Sequence, residues 1–169
     1  RFESVISEAE RLFAQGAREI NLIGQDTTCY GEDLGIRDGL ALLLARLAQI
    51  PTPHEKWVRF LYCYPNKVTQ KLLDTIAEHP ALAKYIDMPL QHINDEMLTK
   101  MKRRVTRKEI ETLLTKLRKI PGMAIRTTFI AGSPGETDAQ HEELVKFVKD
   151  FGFDMMGVFP YSQEPGTPM

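Results

Sequence analysis

Residues 124–137, AIRTTFIAGSPGET, combine a strand, a loop and the start of a helix in one short run. Residues 124–130 are predicted to form a β-strand, in which the alternation of side chains puts Arg126 and Thr128 on the same face. The loop 131–137 contains two glycines, and Thr137 with Gln140 predicts a capping box at the start of the next helix. This order of strand, loop and helix is the repeating unit of α/β proteins.

The same order extends outward in both directions along the chain. Strands are predicted at residues 19–23, 57–61, 85–88, 124–130 and 153–159. Helices are predicted to begin at the capping residues Ser4, Asp38, Thr69, Asn94, Thr106 and Thr137. At least one helix separates each strand from the next, which predicts a parallel sheet with right-handed crossovers. Residues 162–169 are predicted to be turn-like.

Length and composition exclude several classes of protein. The chain has 169 residues and a formal net charge of -1, so it is not a strongly basic nucleic-acid binder. It is shorter than the ~200 residues of a complete (β/α)8 barrel. No apolar run approaches the ~20 residues of a membrane span. The two cysteines, Cys29 and Cys63, supply neither a disulfide framework nor a complete metal site, and they fit a reducing cytosol.

Polar residues within the predicted strands decide between an open sheet and a curved one. A parallel sheet covered on both faces would be almost continuously apolar. Here every predicted strand contains a polar residue: Asn21, Arg59, Asp87, Arg126 with Thr128, and Asp154. We therefore expect a partial barrel whose concave face is polar, with the helices on the other face. The alternative is that these residues lie at strand ends in solvent.

Candidate binding residues follow the strands, because sites in parallel α/β folds lie at the carboxyl ends of strands. Gln25 and Asp26 could accept hydrogen bonds from a ligand amine, or form a solvated turn. Gln91 could bond a sugar hydroxyl, whereas His92 beside it fits a structural hydrogen bond better. Near Gly132, amides of the helix start could receive polar ligand atoms, or the loop could be a plain capped turn.

A cluster of six cations lies between the fourth and fifth predicted helices. Its members are Lys100, Lys102, Arg103, Arg104, Arg107 and Lys108. They could form a solvated face. Alternatively, one of them could turn inward and bind a carboxylate or phosphate.

Several segments together resemble radical S-adenosylmethionine methylthiotransferases, and most closely the branch that modifies an aspartate of a small-subunit ribosomal protein. The segments are EINLIGQDTTCYGEDLG (19–35), WVRFLYCYP (57–65), YIDMPLQHINDEMLTKMKRRVTR (85–107), IRTTFIAGSPGET (125–137) and FDMMGVFPYSQEPGTP (153–168). The resemblance implies a partial (β/α)6 barrel of the TIM type, truncated here to about five parallel strands with helices on the outer face.

The resemblance also implies S-adenosylmethionine and two 4Fe-4S clusters. One cluster cleaves S-adenosylmethionine to a radical that takes hydrogen from the substrate carbon, and the other takes part in sulfur delivery. By the same resemblance, Gln25 and Asp26 receive the methionine amino group and Gln91 contacts the ribose. Arg103, within MKRR, pairs with the methionine carboxylate, and Arg104 is the alternative if the helix register is shifted.

Thr128 and Gly132 complete the implied set, because they match the strand and loop beside the adenine and ribose. The motif C-x-x-x-C-x-x-C of the family is absent. We therefore expect residues 1–169 to be a fragment of the core domain, with the first strand, the cluster loop and both flanking domains lying outside it. We expect no cluster in this fragment and no activity from it alone, since a cluster needs more thiolates.

The expected partner of the parent enzyme is a small-subunit ribosomal protein, in the cytoplasm and without a membrane. We also expect the fragment to self-associate through the strand edge that runs from Glu19 to Ile23, or to displace its first helix. Two other functions stay open. One is a tRNA adenosine methylthiotransferase of the same family, and the other is a catalytically dead barrel that binds the ribosome or RNA through the cation cluster.

Overall fold

In the computed structural model, which describes residues 1–164 and residue 166, helices and strands alternate as predicted. The helices are α1 Phe2–Ala14, α2 Gly39–Ala48, α3 Gln70–Glu78, α4 Asp95–Lys100, α5 Arg107–Arg118 and α6 Asp138–Phe151. The strands are β1 Glu19–Leu22, β2 Trp57–Phe60, β3 Tyr85–Asp87, β4 Ala124–Ala131 and β5 Met155–Pro160. Part of the turn predicted at 162–169, namely residues 165 and 167–169, lies outside the described residues.

All strand pairs are parallel, and the strands form two neighbouring sheets. β1 pairs with β2, and β3, β4 and β5 form a second sheet in that order. The two sheets meet at a parallel bridge between Val58 and Leu82 and at a hydrogen bond from the Cys63 amide to the Asp87 carbonyl, 3.0 Å long. The fold is therefore the predicted α/β architecture, with a junction between β2 and β3 instead of one continuous ladder.

The sheet register places the predicted polar residues on one face. Asn21 pairs with Arg59, and Asp87 pairs with Arg126, so the members of each pair point to the same side. Thr128 shares the side of Arg126, two positions further along β4. The opposite side carries Ile20, Val58, Ile86, Ile125 and Phe129, which pack with the helices in one apolar core. The expected concave polar face is confirmed for Arg59, Asp87, Arg126 and Thr128.

Asp154 is an exception, and its predicted place on the polar face is wrong. β5 begins one residue later, at Met155. The Asp154 carboxylate accepts hydrogen bonds from the Ile125 amide, at 2.8 Å, and from Arg118, at 2.6 Å. These contacts hold it at the amino ends of β4 and β5, away from the carboxyl ends where a site is expected, and they keep its pKa below the usual range.

Four of the six predicted caps are confirmed by hydrogen bonds. Thr106 and Thr137 form complete capping boxes, and Thr69 and Asn94 accept amides of the first turns of α3 and α4. The predictions that Ser4 and Asp38 cap helices are wrong. α1 begins at Phe2, so Ser4 lies inside it. Asp38 precedes α2 without capping it, because its carboxylate accepts the Thr69 hydroxyl at 2.8 Å.

The outer edge of β1 has no strand beside it among the described residues, and Ile23 at its end is 70% exposed. α1 nevertheless packs in the core through Ile6, Ala9 and Phe13. Self-association through this edge stays a prediction. Within the part of the chain that the structure describes, no helix has both the length and the apolar content needed to cross a membrane.

Candidate functional site

The loops that follow β1, β2 and β3 are joined by hydrogen bonds at the carboxyl edge of the sheets. The Thr27 amide donates to the Tyr62 carbonyl at 3.0 Å, and the Thr27 hydroxyl donates to the Leu61 carbonyl at 2.9 Å. Cys63 donates both its amide and its Sγ–H to the Asp87 carbonyl, each at 3.0 Å. These contacts fix the first three loops side by side.

The third loop is joined to β4 through Gln91. Its amide donates to the Thr128 carbonyl at 2.9 Å, and its carbonyl accepts the Ile130 amide at 2.9 Å. Gln91 has a φ of 71°, and Tyr62 in the second loop has a φ of 58°. Residues other than glycine adopt this left-handed region at a cost, and they do so most often at functional sites. The two strained residues therefore mark the same edge as the predicted site.

Asp26 lies in the first loop, and its carboxylate already has local partners. Oδ1 accepts the Thr28 amide at 3.0 Å and also the Thr28 hydroxyl, while Oδ2 accepts the Cys29 Sγ–H at 3.0 Å. The hydrogen bond to Asp26, burial and the negative charges of Asp26 and Glu32 raise the pKa of Cys29 to about 11. Gln25, the preceding residue, is exposed. Asp26 therefore lies at the carboxyl edge of the sheets, and Thr28 and Cys29 already use part of its capacity to accept hydrogen bonds.

Arg103 is the cation that turns inward. Its Nη2 donates to the Pro89 carbonyl, and its guanidinium stacks 4.2 Å from the ring centre of Tyr64. Its Nε is buried and has no hydrogen-bond partner among the described residues. Arg104 is exposed, so of these two arginines it is Arg103 that is turned inward. A buried guanidinium nitrogen without an acceptor is costly, and a ligand carboxylate is the acceptor that fits it best.

The other cations of the cluster do not form one free basic face. Lys100 pairs with Glu96 at 2.8 Å and donates to the Gly135 carbonyl. Arg107 pairs with Glu111 at 2.7 Å and also with Glu143. Lys102, Arg104 and Lys108 remain exposed. The cluster is therefore divided between an inward arginine, two paired side chains and three solvated ones.

The loop after β4 differs from the expectation that its amides receive ligand atoms. The Gly132 and Ser133 amides both donate to Oε2 of Glu136, at 2.6 Å and 3.0 Å. Glu136 is almost fully buried, and burial alone would raise its pKa. Hydrogen bonds from His141, Gly132 and Ser133 outweigh burial and lower the pKa. The amides of this loop are therefore satisfied from within the chain.

His92 has the structural role that the sequence favoured. It is completely buried, its Nδ1 accepts the Asn94 amide at 3.0 Å, and its Nε2 lies 3.5 Å from Glu136. Nε2 therefore carries the proton that faces the carboxylate. Burial lowers the pKa of His92, and the nearby Glu136 opposes that shift. The contact between His92 and Glu136 joins the loop after β3, which contains Gln91, to the loop after β4, which contains Gly132.

The cysteines do not match the donor set of an iron–sulfur cluster. Cys63 is buried, and burial raises its pKa well above the usual value, so its thiol stays protonated. Cys29 is protonated as well and bonded to Asp26. Across residues 1–164 and residue 166, no three metal-binding side chains lie close together. A 4Fe-4S cluster needs several thiolates, so these residues do not fit one.

Three contributors to this edge were missed from the sequence. They are Tyr64, which stacks on Arg103, the ion pair of Asp87 with Arg126, and Glu136, which occupies the loop amides. Strand alternation placed Asp87 and Arg126 on one face. Their pairing also depends on the register between β3 and β4, in which the two residues lie side by side. No local pattern indicates the Tyr64 stack, because it depends on a contact across 39 positions of the chain.

The thiol of Cys29 offers a direct test of this geometry. We predict that Asp26→Asn lowers the pKa of Cys29 from about 11 toward its ordinary value, because the substitution removes the charge that disfavours the thiolate. The rate of alkylation by iodoacetamide, measured against pH, reports the midpoint. Asp33→Asn in the same loop is the matched control and should leave the midpoint unchanged. An unchanged midpoint in Asp26→Asn would show that this contact does not exist in solution.

Solved structures share this arrangement of strands and helices. A radical S-adenosylmethionine methyltransferase, TsrM from Kitasatospora setae with tryptophan and a SAM analogue bound, matches 94% of this chain and 30% of its own at a TM-score of 0.72 and 21% identity. The Escherichia coli coproporphyrinogen III oxidase HemN, a radical SAM enzyme, matches 97% of this chain and 38% of its own at a TM-score of 0.70 and 17% identity. At these identities the likeness shows the fold alone.

Curated relatives are much closer in sequence. A protein of Solibacter usitatus named ribosomal protein uS12 methylthiotransferase RimO is 68% identical over 97% of this chain and 36% of its own length. Its namesake in Koribacter versatilis is 55% identical over 99% of this chain and 33% of its own length. The chain thus spans about a third of the curated relatives it matches. The model of the radical SAM superfamily matches residues 1–148, and the chain belongs to that superfamily.

Proposed function

We propose that this chain is the barrel of a methylthiotransferase that modifies an aspartate of ribosomal protein uS12 with S-adenosylmethionine as cofactor. The observation that carries the proposal is 68% and 55% identity, over nearly the whole chain, to relatives with the uS12 methylthiotransferase name. The proposal includes a cytoplasmic location, where ribosomal proteins are modified. It also includes the assignment of residues 1–169 to the core domain of a larger enzyme.

Arg103 is the proposed partner of the methionine carboxylate. Its buried Nε lacks an acceptor within the described part of the chain, while Pro89 and Tyr64 hold the guanidinium in place. A carboxylate beside it would form a charge-assisted hydrogen bond without first having to order the side chain. Asp26 is the proposed acceptor of the methionine amino group. Its Oδ2 has one described partner, the Cys29 thiol, so it retains a free lone pair.

The remaining proposed contacts are to the nucleoside. Gln91 is assigned to the ribose, and Thr128 with Gly132 to the adenine side, because Gln91 in the loop after β3 bonds to Thr128 on β4 and Gly132 directly follows that strand. Gln25 is assigned to the amino group beside Asp26. When bound, S-adenosylmethionine supplies the radical chemistry, and the residues of this chain bind and orient it and exclude water. No step is assigned to an iron–sulfur cluster, since the cysteines described do not fit one.

The two other functions have less support. No observation favours an adenosine of tRNA as the substrate. A catalytically dead RNA-binding barrel would use the cation cluster, but Lys100 and Arg107 are paired with carboxylates and Arg103 is turned inward. Binding of nucleic acid depends on free cations that can neutralise phosphates. Self-association through the edge from Glu19 to Ile23 is kept as a separate prediction, independent of the activity.

Deleting the gene in its organism tests the function. We expect ribosomal protein uS12 from the deletion strain to lose the mass of one methylthio group on an aspartate-containing peptide. Methylthio-adenosine in bulk tRNA should be unchanged, and both are measured by mass spectrometry. Loss of the tRNA modification with intact uS12 modification would instead establish the tRNA branch, and loss of neither would refute both.

Substitution of Arg103 tests the proposed cofactor site. Arg103→Gln should weaken binding of S-adenosylmethionine to the reconstituted full-length enzyme by about 10- to 100-fold, the usual worth of a hydrogen bond to a charged group. The exposed neighbour provides the control, since Arg104→Gln should bind as tightly as the wild type. Calorimetric titration measures both. Equal affinities for the two variants would remove Arg103 from the site.

A further inference from the structure

A second set of charges lies on the concave face, deeper along the strands than the proposed cofactor residues. Arg126 Nη1 pairs with Asp87 Oδ1 at 2.6 Å, and Arg59 Nε pairs with Glu19 Oε1 at 2.7 Å. The Arg59 guanidinium also stacks 4.5 Å from the ring centre of Tyr85. Burial raises the pKa of Tyr85 above its usual value, and the positive charges of Arg126 and Arg59 oppose that shift. We call Arg59, Tyr85, Asp87 and Arg126 the floor cluster.

Within the floor cluster, Arg126 has open donor capacity. Its side chain is 38% exposed on the concave face, while its partner Asp87 is only 1% exposed. The Asp87 carboxylate accepts a hydrogen bond from Nη1 alone, and the Arg126 guanidinium makes no other hydrogen bond or ion pair among the described residues. A guanidinium has five N–H donors in a planar fork. Nε and Nη2 of this partly exposed guanidinium therefore have no hydrogen-bond partner among the described residues.

The geometry points to Arg126 as the residue that recognises the carboxylate of the substrate. We propose that a carboxylate-bearing side chain, an aspartate in the reaction proposed above, binds Nε and Nη2 of Arg126 during recognition. This inference rests on the proposed function and adds to it the residue that selects the substrate class. Arg126 lies on the same face as Thr128 and two positions before it on β4, so the carboxylate would approach from the side of the proposed cofactor residues.

The neighbours of Arg126 make a carboxylate the fitting ligand. The buried Asp87 fixes the guanidinium before any ligand arrives, which lowers the cost of ordering it. Arg59, which stacks on the Tyr85 ring and pairs with Glu19, is a second guanidinium on the same face. A planar fork binds a carboxylate through two parallel hydrogen bonds, whereas a carboxamide offers only one acceptor oxygen. The floor cluster should therefore favour aspartate over asparagine.

Titration of this chain with a small probe tests the site without any chemistry. N-acetyl-aspartate amide should shift the Arg126 Nε–H resonance in a nitrogen–proton NMR spectrum, and N-acetyl-asparagine amide should not. Arg126→Gln would leave Asp87 buried without its partner, so the test uses Arg126→Lys and the double variant Asp87→Asn with Arg126→Gln. Backbone amides of β4 next to position 126 should shift with the aspartate probe in the wild type and should not shift in either variant. Arg118→Gln, at the opposite end of the strands, is the control and should retain the shift.

A kinetic test with the reconstituted full-length enzyme separates this inference from the proposed function. For a peptide carrying the target aspartate, Arg126→Lys should raise KM about 10-fold, and the affinity for S-adenosylmethionine should stay as in the wild type. An unchanged KM would overturn the inference and leave the proposed function standing. A wild-type enzyme that leaves the peptide unmodified would overturn the proposed function. The absence of any NMR response at Arg126 would overturn the carboxylate site in either case.

Discussion

The buried Asp87 pairs with Arg126 inside the second sheet, and its backbone carbonyl is contacted from the first sheet. Its carboxylate pairs with Arg126 on β4, and its carbonyl accepts both the amide and the thiol of Cys63 after β2. A buried carboxylate is stable only with a well-placed partner, so the position of Arg126 is tied to that of Asp87. Because β2 and β3 lack a continuous ladder, the two sheets are joined by the hydrogen bonds of Cys63 to the Asp87 carbonyl, the bridge at Val58 and the apolar core that both sheets share.

The pairing of Asp87 with Arg126 also identifies the polar face of the sheets, where a site can lie. Once Asp87 and Arg126 share the concave face, the alternation of strands sends Ile86 and Ile125 into the core against the helices. The carboxyl ends of the strands then meet at one edge. The left-handed residues Tyr62 and Gln91 lie in the loops at this edge, and the buried Nε of Arg103 has no hydrogen-bond partner among the described residues. The strain and the unsatisfied donor are local costs that a ligand would offset.

Local patterns predicted most of the architecture. Strand alternation placed Arg59, Asp87, Arg126 and Thr128 correctly, and the capping boxes at Thr106 and Thr137 follow from four-residue patterns. Features that depend on distant partners could not be predicted. Asp154 is held by Arg118, 36 residues away, and Asp38 accepts the Thr69 hydroxyl instead of capping its own helix. No periodicity contains that information.

In the candidate site too, local patterns predicted where residues lie, and contacts between distant residues could not be predicted. The positions of Gln25, Asp26, Gln91 and Gly132 follow from their places after strands, but their hydrogen-bond states do not. Glu136 satisfies the amides of Gly132 and Ser133 because the loop folds back on itself. The choice of Arg103 over Arg104 depends on the left-handed turn at Lys102, with a φ of 54°, which reverses the chain after α4. Such a turn at a lysine has no signature in composition or spacing.

A double-mutant cycle on Asp87 and Arg126 tests most directly whether the buried carboxylate and the guanidinium depend on each other. The free energy of unfolding is measured in urea for the wild type, Asp87→Asn, Arg126→Gln and the double variant. Arg126→Gln should cost about 3–5 kcal/mol, because it leaves a buried charge unpaired. The double variant should recover a large part of that loss. Additive effects within about 0.5 kcal/mol would show that the two side chains are independent and would contradict this account.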